Sequence, residues 1–251
     1  MYYGWRRKIG LIIPSTGNAP EVEFHRYVPS GVAVSSQHVL FERVDQDGLV
    51  AMGARLEEAA SVLATGEPDL LVFACTMGSL VKGVGYDREI VARLEALTGI
   101  KTITTSTAVL AALKALEAKK LSIATPYSAE MNATEKRFLE DNGYQVSSIE
   151  GLGHLDPRIM PRITLDQIYH LVEAVLDAEA DTIFVSCTGL GIIEGLPIIE
   201  ADFQRQTIGS IQATLWYALR TLGLNDDLPL GRLFGLPAPE GSATDEARSC
   251  R

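Results

Sequence analysis

The chain has 251 residues, 47% of them hydrophobic and 22% charged, the balance of a globular protein able to bury a sizeable core. A net charge of −10 and an isoelectric point near 4.9 argue against nucleic-acid and anionic-membrane partners, which attract basic surface. A small acidic ligand is not excluded, because a local site can be rich in N–H donors whatever the global charge.

In chain order, residues 8–14 read as a strand, followed by a loop rich in Ser, Thr, Gly and Asn and a helix over about 46–65. A strand at 69–75, a helix over about 85–98, a strand at 101–105 and a helix at 106–118 complete the first half. The second half repeats the order: strand 120–125, helix 129–142, strand 145–149, helix 165–179, strand 181–187, a short helix near 198–205, strand 206–209 and helix 212–223. Short apolar runs alternating with helical stretches are the signature of parallel βαβ units. The remainder, 225–251, is rich in Pro, Gly and Asp and reads as a loosely packed extension. No run approaches the roughly 18 to 20 apolar residues that span a bilayer. The opening MYYGWRRKIG enters its strand without the apolar stretch and cleavage site of a signal peptide.

Two strands are near copies of each other. DLLVFACTMG at 69–78 and DTIFVSCTGL at 181–190 both end in Cys-Thr and reach a glycine within two residues, and their thiols, Cys75 and Cys187, lie 112 residues apart. The same offset superposes KIGLIIPS at 8–15 on KLSIATPY at 120–127. The final helices, STAVLAALKAL and QATLWYALRTL, match at an offset of 106, so the second half is read as six residues shorter after its cysteine. The chain is therefore expected to be an internal duplication with lobes at 1–118 and 119–224, the last helix of the first free to cross over, and an extension at 225–251. Two thiols at strand ends and Cys250 beside the C-terminus make no disulfide framework, and the expected setting is the reducing cytoplasm.

In open α/β sheets, ligands bind beyond the carboxyl ends of strands. Cys75, Cys187, Ser15 with Thr16, and Tyr127 with Ser128 all fall there. Halves packed face to face would bring the two thiols to one ligand from opposite sides, which suits proton transfer between faces, or attack on one carbon with protonation of its neighbour. A thiol works as thiolate, and a turn that presents backbone N–H groups lowers its pKa. Thr76-Met77-Gly78 and Thr188-Gly189 supply such turns, whose amides also suit a carboxylate or an oxyanion. A single strand-end cysteine is most often a small buried apolar residue; recurrence in the same Cys-Thr context favours chemistry. Tyr127 reads equally as a packed aromatic and as a donor over the cleft. Among Thr104, Thr105, Ser106 and Thr107, an N-cap explains one or two, leaving the rest to line the pocket or face solvent. His25, His38, His154 and His170 show no metal-ligand spacing, GVGYDR at 83–88 lacks the rest of a dinucleotide fingerprint, and there is no P-loop, so neither metal nor cofactor is expected. Asp69 and Asp181 read as turn residues.

The paired strand-end cysteines, the STAVL helix, TPYSAEMN and the QATLWYALR helix together resemble the aspartate/glutamate racemase superfamily. Within it the chain is most similar to maleate cis-trans isomerases, ectoine-utilisation racemase-like proteins and arylmalonate decarboxylases, over about residues 8–234. The resemblance implies an α/β fold of two pseudo-symmetric Rossmann-like lobes, each a mainly parallel four-stranded sheet flanked by helices, with a small carboxylate held between them and no cofactor. It assigns Cys75 as nucleophile and Cys187 as its acid/base partner. The decarboxylases carry glycine where this chain has Cys75, and their carboxylate-binding hole maps onto Thr76, Met77, Tyr127, Cys187 and Thr188, with Met77 in place of a serine. Maleate isomerases carry asparagine directly after PSS, whereas PSTGN here sets Asn18 one position later.

The expected function is a cofactor-independent isomerase or racemase of a small carboxylic or dicarboxylic acid, with Cys75 and Cys187 as the thiol/thiolate pair. Ser15, Thr16, Asn18, Thr76, Met77, Tyr127, Thr188 and Gly189 are the substrate-binding candidates. The alternatives are an arylmalonate-type decarboxylase that needs Cys187 alone, and a non-catalytic ligand-binding protein whose thiols would alkylate slowly. The apolar helices leave room for a homodimer or a higher homo-oligomer.

Overall fold

The computed structural model describes residues 3–238. The first half runs β1 (Arg7–Pro14), α1 (Ala19–Tyr27), β2 (Val32–Val39), α2 (Gln46–Gly53), α3 (Leu56–Ala64), β3 (Leu70–Phe73), α4 (Thr76–Leu80), α5 (Tyr86–Thr98), β4 (Thr102–Thr104) and α6 (Thr105–Ala115). The second runs β5 (Lys120–Thr125), α7 (Ala129–Asp141), β6 (Gln145–Gly151), a 3₁₀ turn at Pro157–Arg162, α8 (Leu165–Val175), β7 (Thr182–Val185), α9 (Leu196–Phe203), β8 (Gln206–Gly209) and α10 (Ser210–Thr221). Two parallel four-stranded sheets result, ordered β2-β1-β3-β4 and β6-β5-β7-β8. Strands β3 and β7 are buried throughout, as all-apolar runs such as LLVF at 70–73 require of a sheet covered on both faces.

The duplication holds at the level of hydrogen-bond register. Ile9 pairs with Leu70 in one sheet and Leu121 with Thr182 in the other, each partner displaced by 112 positions. Asp69 and Asp181 are more than turn residues: each carboxylate accepts backbone N–H groups where β1 and β5 begin, from Lys8 at 2.7 Å and from Lys119 and Lys120 at 3.1 Å. After the cysteines the offset becomes 105, because Phe73 pairs with Thr104 and Val185 with Gly209. The second half is thus seven residues shorter, not six; side-chain likeness along the last helices runs one position out of step with the strands that carry them.

Three elements were not expected, one of them the short α4 directly after Cys75. Residues between Pro14 and the first long helix form α1 and the edge strand β2, whose VAVSSQHV is half-exposed and so lacks a continuous apolar run. The helix expected over 46–65 is two, α2 and α3, broken around Ala54, where the Arg93 guanidinium takes the Gly53 carbonyl at 3.3 Å. Helices α6 and α10, one from each half, pack on each other. Thr105, Ser106 and Thr107 neither line the pocket nor face solvent. Thr105 accepts from Thr214 at 3.1 Å, Ser106 bonds Ser79 at 2.7 Å, and Thr107 is capped by Thr104 at 3.1 Å.

The segment after α10 is not loosely packed as far as residue 238. Leu230, Leu233 and Phe234 are buried, Trp216 donates to the Leu236 carbonyl at 3.0 Å, and Arg220 reaches the carbonyls of Leu224 and Leu236. Its apolar residues recur too sparsely to show as an element. Cys250 lies outside the described residues. Among the described residues no helix is long and apolar enough to cross a membrane.

Candidate active site

Beyond β3 and β7 each chain segment stays hydrogen-bonded to its sheet for one more residue before the cysteine. Ala74 donates to the Ile12 carbonyl and Ser186 to the Ala124 carbonyl, both at 2.9 Å, so the two cysteines leave their sheets at equivalent heights. Cys75 is the N-cap of α4, and its sulfur accepts the Gly78 N–H at 3.3 Å. A Cβ at Gly78 would lie 2.9 Å from that sulfur, so the close approach requires glycine. Cys187 accepts the Gly189 N–H at 3.2 Å but is followed by an open turn, and its backbone has φ +138°. A non-glycine residue held at positive φ is strained, and such strain concentrates at functional sites.

The two turns are laced to each other. Ser210, the first residue of α10, accepts the Cys187 N–H at 3.0 Å and the Thr76 hydroxyl at 2.9 Å, while Thr188 donates to the Ala74 carbonyl at 3.2 Å. Both thiol residues line one cavity together with Thr16, Met77, Tyr127, Thr188 and Gly189. Phe41, Val44 and Leu49 from the first half and Pro157 and Met160 from the second give the same cavity an apolar wall. Among the described residues no charged side chain lines the cavity, and no cluster of three His, Cys, Asp or Glu could hold a metal ion.

Three expected binding residues are not brought to the cavity. Ser15 accepts the Phe41 N–H at 3.1 Å and shapes the loop instead; Asn18 is exposed at the start of α1; the Thr76 hydroxyl is spent on Ser210. Conversely, the apolar wall was missed. Its residues sit in segments 41–49 and 157–160, related by nearly the same offset as the thiols, and the repeat was the available signal.

Burial dominates the electrostatics. It pushes the Cys75 thiol up to about 12 against the help of the Gly78 N–H, and the Cys187 thiol up to about 11 against the Tyr127 hydroxyl and the Gly189 N–H. The expectation that turn amides lower these values is therefore corrected: the amides are in place, but desolvation outweighs them. Tyr127 is buried and hydrogen-bonded to Cys187, which holds its phenol well above the ordinary value and keeps it a proton-bearing donor.

The sequence model of the arylmalonate decarboxylase family matches residues 9–234, nearly the whole chain. The chain belongs to the arylmalonate decarboxylase family. A maleate isomerase of Nocardia farcinica is 26% identical over 241 residues, covering 91% of this chain and 95% of the relative. An arylmalonate decarboxylase of Bordetella bronchiseptica is 24% identical over 217 residues, covering 86% and 90%. Among solved structures, a cysteine variant of the Nocardia farcinica maleate cis-trans isomerase with a covalently bound succinylcysteine intermediate superposes with a TM-score of 0.87 at 22% identity, covering 91% of this chain and 98% of that one. That likeness establishes the fold; a shared fold does not assign the reaction.

Proposed function

We propose that this chain is a cytoplasmic, cofactor-independent isomerase or racemase acting on a small carboxylic or dicarboxylic acid through Cys75 and Cys187, with its lobes meeting at residues 118/119. The observation that carries the reading is a single cavity bounded by two thiol residues, one from each sheet. In isomerisation the Cys75 thiolate adds to one carbon of a cis double bond. A C–S bond forms, and the π pair moves to the neighbouring carbon and its carboxylate, where Cys187 supplies or shares a proton. Rotation about the resulting single bond, return of the transferred proton to Cys187 and loss of the Cys75 thiolate re-form the double bond as the trans product. In racemisation the same pair removes an α-proton on one face and returns one on the other. The protonated Tyr127, Thr188 and the amides of the two cysteine turns are suited to orient the carboxylate.

Incubation with maleate and with α-aryl acids in D₂O, followed by NMR, tests this. Conversion or α-deuteration should disappear in both Cys75→Ala and Cys187→Ala; unimpaired turnover in the two variants would remove the mechanism. One observation favours a second reading, an arylmalonate-type decarboxylation: the apolar wall offers no cation for a second carboxylate and suits an aryl group. There Cys187 alone would protonate the carbanion left by loss of CO₂. Retained CO₂ release from an arylmalonate in Cys75→Ala decides for it.

A further inference from the structure

Two buried carboxyls share the offset that relates the two thiols. Glu23 on α1 and Glu135 on α7 are 112 residues apart, are 7% and 0% exposed, and each leaves Oε2 without a hydrogen-bond partner among the described residues. Glu135 Oε1 accepts from the Ser186 hydroxyl at 2.5 Å. The residue equivalent to Ser186 in the first half is Ala74, which has no hydroxyl to give. Glu23 instead accepts the N–H of Ile193, in the other half, at 3.1 Å. Burial pushes both carboxyls up to about 7.

The two differ in what lies beside them. Glu23 borders a second, small cavity with room for about one water molecule, whose wall also includes Cys187, Ser210 and Gln212. Of the described residues lining the substrate cavity, Cys187 alone also lines this one. Cys187 therefore stands between the ligand in front and a buried acid behind. The charged groups facing Glu23 are Arg26 on its own helix and Glu194 across the interface, which pair at 2.7 Å, with the Tyr27 hydroxyl also on Glu194. On β2, His38 is held by Glu21 at 3.4 Å. Arg26, paired to Glu194, favours the ionised form of Glu23 less than burial opposes it.

We propose that Glu23, through one water in the rear cavity, exchanges the Cys187 proton with solvent. The S–H bond of Cys187 breaks as its proton passes to the water, and the water gives a proton to the Glu23 carboxylate. Thiol plus carboxylate becomes thiolate plus carboxylic acid, with charge conserved. Glu23, 7% exposed against 0% for Glu135, then trades that proton for one from solvent and hands it back through the same water, which restores the thiol and the carboxylate. Glu135, fully buried against Ser186, has no such outlet. The proposal rests on reading Cys187 as a working thiol, but its test needs no substrate.

In a protein carrying Cys75→Ala and Cys250→Ala, Cys187 is the one thiol left of three. Its S–H to S–D exchange on dilution into D₂O can be followed by the infrared S–H band. Relay through Glu23 gives a rate that rises with pH and levels off above pH about 7, because only the carboxylate accepts the proton. A rate that keeps climbing about tenfold per pH unit is direct hydroxide exchange and overturns the relay. At about pH 8, Glu23→Gln should slow exchange at least about tenfold and Glu23→Asp should keep the plateau, while Glu135→Gln stays within about twofold of the parent. Glu23→Gln exchanging as fast as the parent, or Glu135→Gln slowing it equally, rejects the assignment. Intact turnover by Cys187→Ala would instead count against the proposed function, so the two failures are distinguishable.

Discussion

Cys75 and Cys187 share a strand, a following threonine and an amide hydrogen bond, yet their backbones differ. Cys75 is extended at φ −149° and passes into α4; Cys187 is held at φ +138° with no helix behind it. The strain at Cys187 is sustained by Ser210, which pins its N–H. Relieving it should stabilise the fold. Cys187→Gly is expected to exceed Cys187→Ala in urea stability by about 1 kcal/mol, although glycine packs less, with both inactive. The opposite order would show that the turn is relaxed. The thiols also set the pH response. Only a thiolate attacks, and burial holds both thiols near 11 and 12, so kcat/KM should climb through the alkaline range and not level off below pH about 10. A plateau near neutrality would mean that a nearby base, and not free thiol ionisation, limits the rate.

Between elements, Ser210 is the bracket that joins the two halves at the site. Its hydroxyl is shared by Thr76, next to Cys75, and by the backbone of Cys187. Ser210→Ala leaves two buried donors unpaired and is expected to cost about 1–3 kcal/mol in urea unfolding, and to lower kcat more than it raises KM. Loss of stability without loss of kcat would show that the bracket is structural only. Nothing in the sequence singles out Ser210, because its partners are more than 20 and more than 130 residues away. The thiol pair, by contrast, was legible, since DLLVFACT and DTIFVSCT put the same strand and turn twice into one chain. The edge strand β2 was lost because it is exposed on one side, although the recognised strand-helix-strand at 120–149 implied an equivalent at 8–39. Phe41, Val44, Leu49, Pro157 and Met160 look like ordinary core residues in sequence; only the meeting of two loops makes them a wall.

For the molecule as a whole, two carboxyls buried in one fold make stability depend on pH in an unusual direction. Glu23 and Glu135 are raised from 4.5 to about 7, so the folded state binds their protons more tightly than the unfolded chain does. Their contribution is fully present below pH about 4.5 and is lost as pH rises to about 7, on the order of 3 kcal/mol each. Exposed acids act oppositely: Arg158 holds Asp156 down near 2, and that support fails only as pH falls from about 4 through 2. The growing self-repulsion of a chain that carries −10 at neutral pH reinforces the first trend. The melting temperature should therefore be highest near pH 5, the acid edge of the usual range, and fall by about 10 °C or more toward pH 8. Glu23→Gln combined with Glu135→Gln should flatten that slope, because neither amide titrates. A melting temperature that rises toward pH 8 in the parent, or an unchanged slope in the double variant, would mean that the two carboxyls are already ionised in the folded state well below pH 7.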